Sequence, residues 1–348
     1  MMRQEIQVID PCTSEEWMQF ICSHPEAGIF HHPAWLKILR DTYGYRVFAA
    51  CLREGDKIVA GIPFADVQSF VTGNRWVSLP FSDNCAPLLP KNNPAAIEKL
   101  IAFLKNGIGT VTAKVEIHWD IKGCQTHRES HFVCHSRSLD PQKSKEELFK
   151  SFEKRTTQRS IRIAEKEGVI VKACISPEEF DLFYQMQVKT RKRLGVPVQS
   201  RSFFESVWKE VLMAGLGFAL IAFKDKTPLG GGVFLTFNKK MVFKYSASDS
   251  EYRALQPTHA FVWAAMQRGL AEGCTLFDFG RSDKENEGLR RFKMNWGAEE
   301  QELAYTIIGA RSRARASSRL DDIVGVVIRN SPKFVCRLSG MLLYRHFA

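Results

Sequence analysis

The sequence predicts an α/β chain of mixed sheets built as two similar lobes, and three observations carry that reading. The chain has 348 residues, which suits two domains of about 150 to 200 residues each. Helical and strand-like patterns alternate along it, as layered α/β folds require. One hairpin pattern occurs twice: Ala50 to Ile62 is an apolar strand, a charged turn and a second strand holding Gly61, and Ile221 to Val233 repeats it without a gap. Matching Leu52 to Phe223 gives an offset of 171 residues, close to half the chain, so an internal duplication is expected.

The elements follow from local pattern. In the first half a helix is expected over Pro33 to Arg40, then the hairpin, then a strand at Trp76 leading into Ser78-Leu79-Pro80-Phe81-Ser82-Asp83. A helix over Pro94 to Lys105 and strands over Thr112 to His118 and His131 to His135 come next. The polar stretch from Ser138 to Ser144, with Pro141, marks a boundary. The lobes are therefore expected at 1–140 and 141–310, with 311–348 a basic, apolar helical tail. That tail reads as a helix packed on the body or as a membrane-surface element.

In the second half Ser144 and Glu147 form a capping-box start, and one helix with its extension is expected from Lys145 to Lys166 before Gly168 stops it. Helical spacing covers Pro177 to Arg193 and Phe203 to Leu212. Strands are expected over Gly217 to Phe223, Leu229 to Phe237 and Met241 to Ala247, a helix over Pro257 to Glu272, and strands over Cys274 to Phe279 and Glu302 to Ile308.

Composition narrows the function classes. Apolar residues make up 45% and charged residues 25%, the balance of a globular chain. A net charge of +11 favours an anionic partner. The nine cysteines are scattered singly with no CxxC pair, so neither a zinc ribbon nor a disulfide framework is expected, and a reducing compartment is. The histidines show no metal-ligand spacing; His131 and His135 fall on a strand, and no metal or cofactor is expected. Met1 to Asp10 lacks a secretory pattern and no apolar run reaches the ~18 residues of a membrane span, so a cytoplasmic location is expected. No GxSxG elbow or Walker loop occurs.

The most distinctive stretch is Leu276-Phe277-Asp278-Phe279-Gly280-Arg281-Ser282, followed by Gly288-Leu289-Arg290-Arg291-Phe292-Lys293-Met294-Asn295-Trp296-Gly297. An apolar strand ending in polar residues delivers them to the carboxyl edge of a sheet, where α/β folds bind ligands. Together with Arg159 to Val169 and the Ser-Leu-Pro-Phe-Ser-Asp loop, these runs resemble the Fem-type peptidoglycan aminoacyltransferases within the GNAT-like acyltransferase superfamily. The resemblance implies two tandem GNAT-like lobes and an acyltransferase that forms an amide on an amine of a cell-envelope precursor.

The same resemblance implies roles for residues. Lys293, beside Phe292, would act on the donor's side of the site, and Asp83 is a carboxylate able to take a proton from the attacking amine. Arg159, and second Arg162, would grip the diphosphate of a UDP- or lipid-linked precursor, with Trp35 meeting the same ligand. Arg281 would hold a carboxylate or phosphate, with Ser282 beside it, while Asp278 caps the next segment or reacts. An acetyl-CoA enzyme would need a glycine-rich loop before a helix to cradle pyrophosphate. Tyr252 to Ala260, at that place, contains no glycine, which argues against coenzyme A as donor; the resemblance implies an aminoacyl ester of tRNA in its place. The alternatives are an N-acyltransferase of exopolysaccharide or lipid-linked glycan assembly, and a non-catalytic RNA- or membrane-associated scaffold; DNA is not an expected partner, and contact with the inner membrane face is a further option.

Overall fold

The repeated hairpin forms in both halves, and its pairing sets the register of the repeat. In the computed structural model, which describes residues 4–70, 72–91, 95–122, 127–309 and 325–346, strand β2 (Arg46–Glu54) turns into β3 (Lys57–Val67), and a later pair, Gly217–Lys224 and Thr227–Phe237, does the same. The last pairs before each turn are Glu54 with Lys57 and Lys224 with Thr227, an offset of 170. The offset of 171 read from the sequence is therefore corrected by one. At 170 every detail coincides: the bulges fall at Leu52/Arg53 and Ala222/Phe223, and Gly55 (φ 59) and Asp225 (φ 54) take the same left-handed turn position.

The chain folds as two compact units. The first draws its described residues from Met1–His131, Leu303–Ser317 and Leu342–Ala348. Around the hairpin it has β1 (Gln4–Ile9), α1 (Glu15–Ser23), α2 (Pro33–Tyr43), β4 (Arg75–Ser78), α3 (Ala95–Gly107) and β5 (Lys114–Ile117). Its strands lie in the order β1-β2-β3-β4-β5, antiparallel except for the parallel β4–β5 pair. Phe48, Phe64, Trp76, Leu100 and Leu104 form its core between sheet and α3. The sequence reading passed over β1 and α1.

The second unit draws on Phe132–Glu302 and Ser318–Met341. After β6 (His127–Ser138) come α4 (Lys145–Lys150), α5 (Arg159–Lys166), β7 (Ile170–Ala173), α6 (Pro177–Leu194) and α7 (Arg201–Val207). The hairpin strands are β8 and β9; then follow β10 (Lys240–Ser248), α8 (Pro257–Ala271), β11 (Leu276–Asp283), α9 (Glu287–Met294), the first residues of β12 (Glu299–Gly309), which from Leu303 on belongs to the first unit, and α10 (Lys333–Leu343) as far as Met341. Strands β7-β8-β9-β10-β11 repeat the first unit's order and senses, ending again in a parallel pair. From β1 to β5 and from β7 to β11 the chain thus reads strand, two helices, three strands, helix, strand.

Aromatic packing explains the hairpin glycines. Gly61 and Gly231 are equivalent at offset 170; a Cβ on Gly61 would lie 2.7 Å from Trp17 of α1, and one on Gly231 would lie 3.2 Å from Phe183 of α6. In each unit the helix that follows the repeat's first strand lays a ring on the hairpin where a side chain is missing. The helix expected from Lys145 to Lys166 is broken. Phe152 leaves it to pack against Trp263 and Trp296, Glu153 N–H donates to Asn295 O at 3.0 Å, and Glu153 caps a new start by accepting from Thr156 N at 2.6 Å. Of the tail, Arg311, Arg313, Arg315 and Arg319 lie outside the described residues.

Candidate functional site

Strands β10 and β11 pair over three residues only, Lys240 to Val242 against Leu276 to Asp278. Beyond that point β10 continues along β9 and β11 along β6. Each strand bulges where they part: the register shifts between Phe243 and Tyr245 in β10 and between Asp278 and Arg281 in β11. A crevice at the carboxyl end of a parallel pair is where a sheet of this kind offers its backbone to a ligand. The wall above it is aromatic. His259, in the first turn of α8, stacks on Trp296 at 5.6 Å and meets the edge of Phe292 at 5.4 Å. Burial among these rings pushes the imidazole down to about 4, so it is neutral near pH 7.

The Asp-Phe-Gly-Arg-Ser run is the β11 bulge. Asp278 faces Ser136 and Arg281 faces Cys134, so Phe279 and Gly280 together oppose His135. Gly280 sits at φ 70, and Asp278 accepts from its N–H at 2.7 Å. From α9, Lys293 donates to the carbonyls of Gly280 and Arg281, each at 2.9 Å. The strand expected to stop at Phe279 therefore continues to Asp283 through a pinned kink. Lys293 is 4% exposed; this geometry makes it a holder of the bulge rather than a group in direct contact with a donor. Ser282 is likewise buried, which corrects the expectation of a ligand contact. Arg281 is exposed and lies 4.3 Å over the Phe132 ring, and Phe292 is half-buried on the aromatic wall.

Behind the bulge lies a polar triad that sequence reasoning missed. His135 is fully buried, and its Nε2 meets Glu300 at 3.0 Å. Glu300 accepts from Arg290 Nε and Nη2, both at 2.8 Å, which holds its carboxyl below the usual range. Burial, and then the charge of Lys293, lower His135 despite Glu300. Nothing in the spacing of 135, 290 and 300 signals this, since three separate elements supply them. His259 left one cue, its place two residues after the helix-starting Pro257.

The remaining candidates fall on other elements. Arg159 and Arg162 are exposed on α5; Arg162 lies 5.2 Å over Phe149, and its Nη2 donates to Gln158 Oε1 at 3.3 Å. It lines a cavity of about 420 Å³ with Phe149, Lys150 and Trp263. Asp83 belongs to the first unit, in the loop after β4, where its carbonyl accepts from Tyr305 at 2.9 Å. The loop is strained at Phe81, a non-glycine at φ 61. Trp35 has no exposed surface and packs edge-on to Phe30 at 5.3 Å; it is core, and the expected ligand contact is corrected. Where acetyl-CoA enzymes carry a glycine loop, a 3-10 turn (Ser250–Leu255) ends in left-handed Gln256 and Pro257, which has no N–H to offer. Among the described residues no three histidine, cysteine or carboxylate side chains gather as a metal requires.

Residues 150–294, which hold the crevice, match the family described as Acetyltransferase (GNAT) domain. A lipid II:glycine glycyltransferase of Staphylococcus saprophyticus is 36% identical over 75 residues, 20% of this chain and 18% of that protein. The structure of FemX aligns over 87% of this chain and 96% of its own, with a TM-score of 0.68 at 16% identity. Residues 150–294 thus carry a GNAT-type acetyltransferase domain, and the chain shares its fold with FemX. A tandem GNAT protein from the clavulanic acid biosynthesis pathway shares the fold, at TM-score 0.52 and 10% identity over 87% of this chain and 98% of that one. The chain matches less than a fifth of the length of these curated relatives, while its fold aligns with that of FemX over 87% of this chain.

Proposed function

We propose that this protein is an acyltransferase that forms an amide on an amine of a peptidoglycan precursor, with an aminoacyl ester of tRNA as donor. The observation that carries the reading is the parting of β10 and β11 within the GNAT-matching region. The printed activity of the glycyltransferase relatives supports the acceptor class. The absence of glycine and the loss of an N–H at Pro257 support a donor other than coenzyme A.

In this reading the amine nitrogen attacks the ester carbonyl carbon, and a C–N bond forms as the carbonyl becomes an oxyanion. Its collapse breaks the ester C–O bond and releases the hydroxyl of the donor's ribose. The amine's proton passes through water to the departing ribose oxygen. The protein's part is placement and electrostatics rather than covalent chemistry. Lys293 fixes the kinked edge of β11, His259 with Phe292 and Trp296 excludes water, and Arg281 with Arg159 or Arg162 faces anionic groups of the substrates.

Purified protein offered aminoacyl-tRNA, acyl-CoA, and UDP- and lipid-linked precursors in parallel, with products read by mass spectrometry, tests this. Amide formation from aminoacyl-tRNA is expected. Turnover with coenzyme A thioesters alone would overturn the donor assignment, and no product from any pair would overturn the enzyme reading.

A further inference from the structure

A helix on a globular body normally turns its apolar residues inward and its polar ones to water. Helix α10 has an inner face that is already satisfied: Cys336 and Gly340 are buried, and a Cβ on Gly340 would lie 1.6 Å from Val198 O. Its outer face is nevertheless apolar. Phe334, Leu338, Met341 and Leu342, at helical spacings of four, three and one, are 63%, 48%, 57% and 58% exposed. Val326 and Val327, just before it, are 51% and 50% exposed. Four large side chains on one outward stripe form a patch rather than scattered surface residues.

Charge identifies what covers the patch. Lys333 and Arg337 are exposed and flank the stripe on one side of the helix. Among the described residues from 325 to 346, Arg329, Lys333, Arg337 and Arg345 carry positive charge and there is no aspartate or glutamate. A second copy of the chain would set Lys333 and Arg337 against their own kind. An anionic surface would not.

We propose that the outer face of α10 docks on an anionic lipid bilayer. The helix lies in the plane of the interface, with Phe334, Leu338 and Met341 at the boundary of headgroups and acyl chains and Lys333 and Arg337 among the phosphates. It does not span: no helix among the described residues is long and apolar enough to cross a membrane. Apolar insertion and charge attraction act together, because either alone gives weak, reversible binding.

Flotation of the full chain with vesicles of phosphatidylcholine, or of phosphatidylcholine mixed with phosphatidylglycerol, tests the proposal without any turnover, so its outcome is separate from that of the acyltransfer assay. Binding to the anionic vesicles only is expected, weakened by salt. Two variants at exposed positions, Phe334→Asp with Leu338→Asp and Lys333→Glu with Arg337→Glu, should each lose at least about tenfold in partitioning, with unchanged circular dichroism. Equal binding to neutral vesicles, no vesicle binding, or full binding by both variants would overturn it. So would a stable dimer in light scattering that Phe334→Asp with Leu338→Asp disperses.

Discussion

Lys293 donates its ammonium protons to the carbonyl of Gly280 at 2.9 Å, and to that of Arg281 at the same distance, so a residue of α9 holds the kink of β11 open beside the crevice. Lys293→Met leaves two buried acceptors without this donor. A loss of roughly 2 to 4 kcal/mol in stability is expected, as for other buried groups stripped of a partner. Because the kink shapes the crevice, kcat should fall together with Tm. Thermal unfolding and steady-state kinetics on the one variant decide: loss of kcat at unchanged Tm would return Lys293 to direct contact with the reacting oxygen.

His259 and His32 both have imidazoles pushed down to about 4 by burial, from an ordinary value of 6.5. The unfolded chain therefore binds protons near pH 6.5 that the folded chain refuses until about pH 4. Stability should fall as pH drops through that window, by at most about 3 kcal/mol for His259. His32 adds to the slope, since its Nδ1 accepts from Ala34 N at 3.1 Å and caps α2. Chemical denaturation at stepped pH should show a flatter profile for His259→Gln; an unchanged slope would mean that ring takes its proton without cost.

Much of this fold was legible because it is local. Ser144 and Glu147 do form the capping box, with Ser144 N donating to Glu147 Oε2 at 2.9 Å, and the hairpins, α6 and α8 fall where apolar periodicity puts them. The site was legible as a motif but not as a geometry. Asp278-Phe279-Gly280 reads as a strand end, yet the pairing of Arg281 with Cys134 carries the strand on, and only β6 contains that information. Lys293 reads as a surface base beside an aromatic; its burial depends on carbonyls twelve and thirteen residues away. Long-range partners of this sort leave no period in the sequence.

The duplicated glycine offers a stability test of the repeat. In Gly231→Ala the new Cβ would lie 2.6 Å from Leu220 O, a backbone atom, and in Gly61→Ala 2.7 Å from Trp17 Cζ3, a fully buried ring. Each should destabilise by about 1 to 3 kcal/mol through overpacking. Gly28 has nothing within 4 Å and its φ is −126, so Gly28→Ala should stay within about 0.5 kcal/mol of wild type. Urea titration of the three variants checks this; two tolerated hairpin substitutions would mean that the rings shift freely.

The two arginines of α5 separate by what already holds them. Arg162 leans over Phe149 at 5.2 Å and reaches Gln158, so part of its effect is structural, whereas Arg159 stands exposed at the first position of the helix. If a diphosphate of the precursor binds here, Arg159→Ala should weaken it by ~1.5 to 3 kcal/mol, the range of a charge-assisted hydrogen bond, with no change in Tm. Arg162→Ala should weaken binding and lower Tm slightly, because the guanidinium also covers an aromatic face. The affinity lost by Arg159→Ala should shrink as salt rises, since exposed charges are screened over about a Debye length. Calorimetry with a UDP-linked precursor at two salt concentrations reads both variants. Unchanged affinity in both would move the diphosphate away from α5 and leave Arg281, exposed at the edge of the crevice, as the cation to test next.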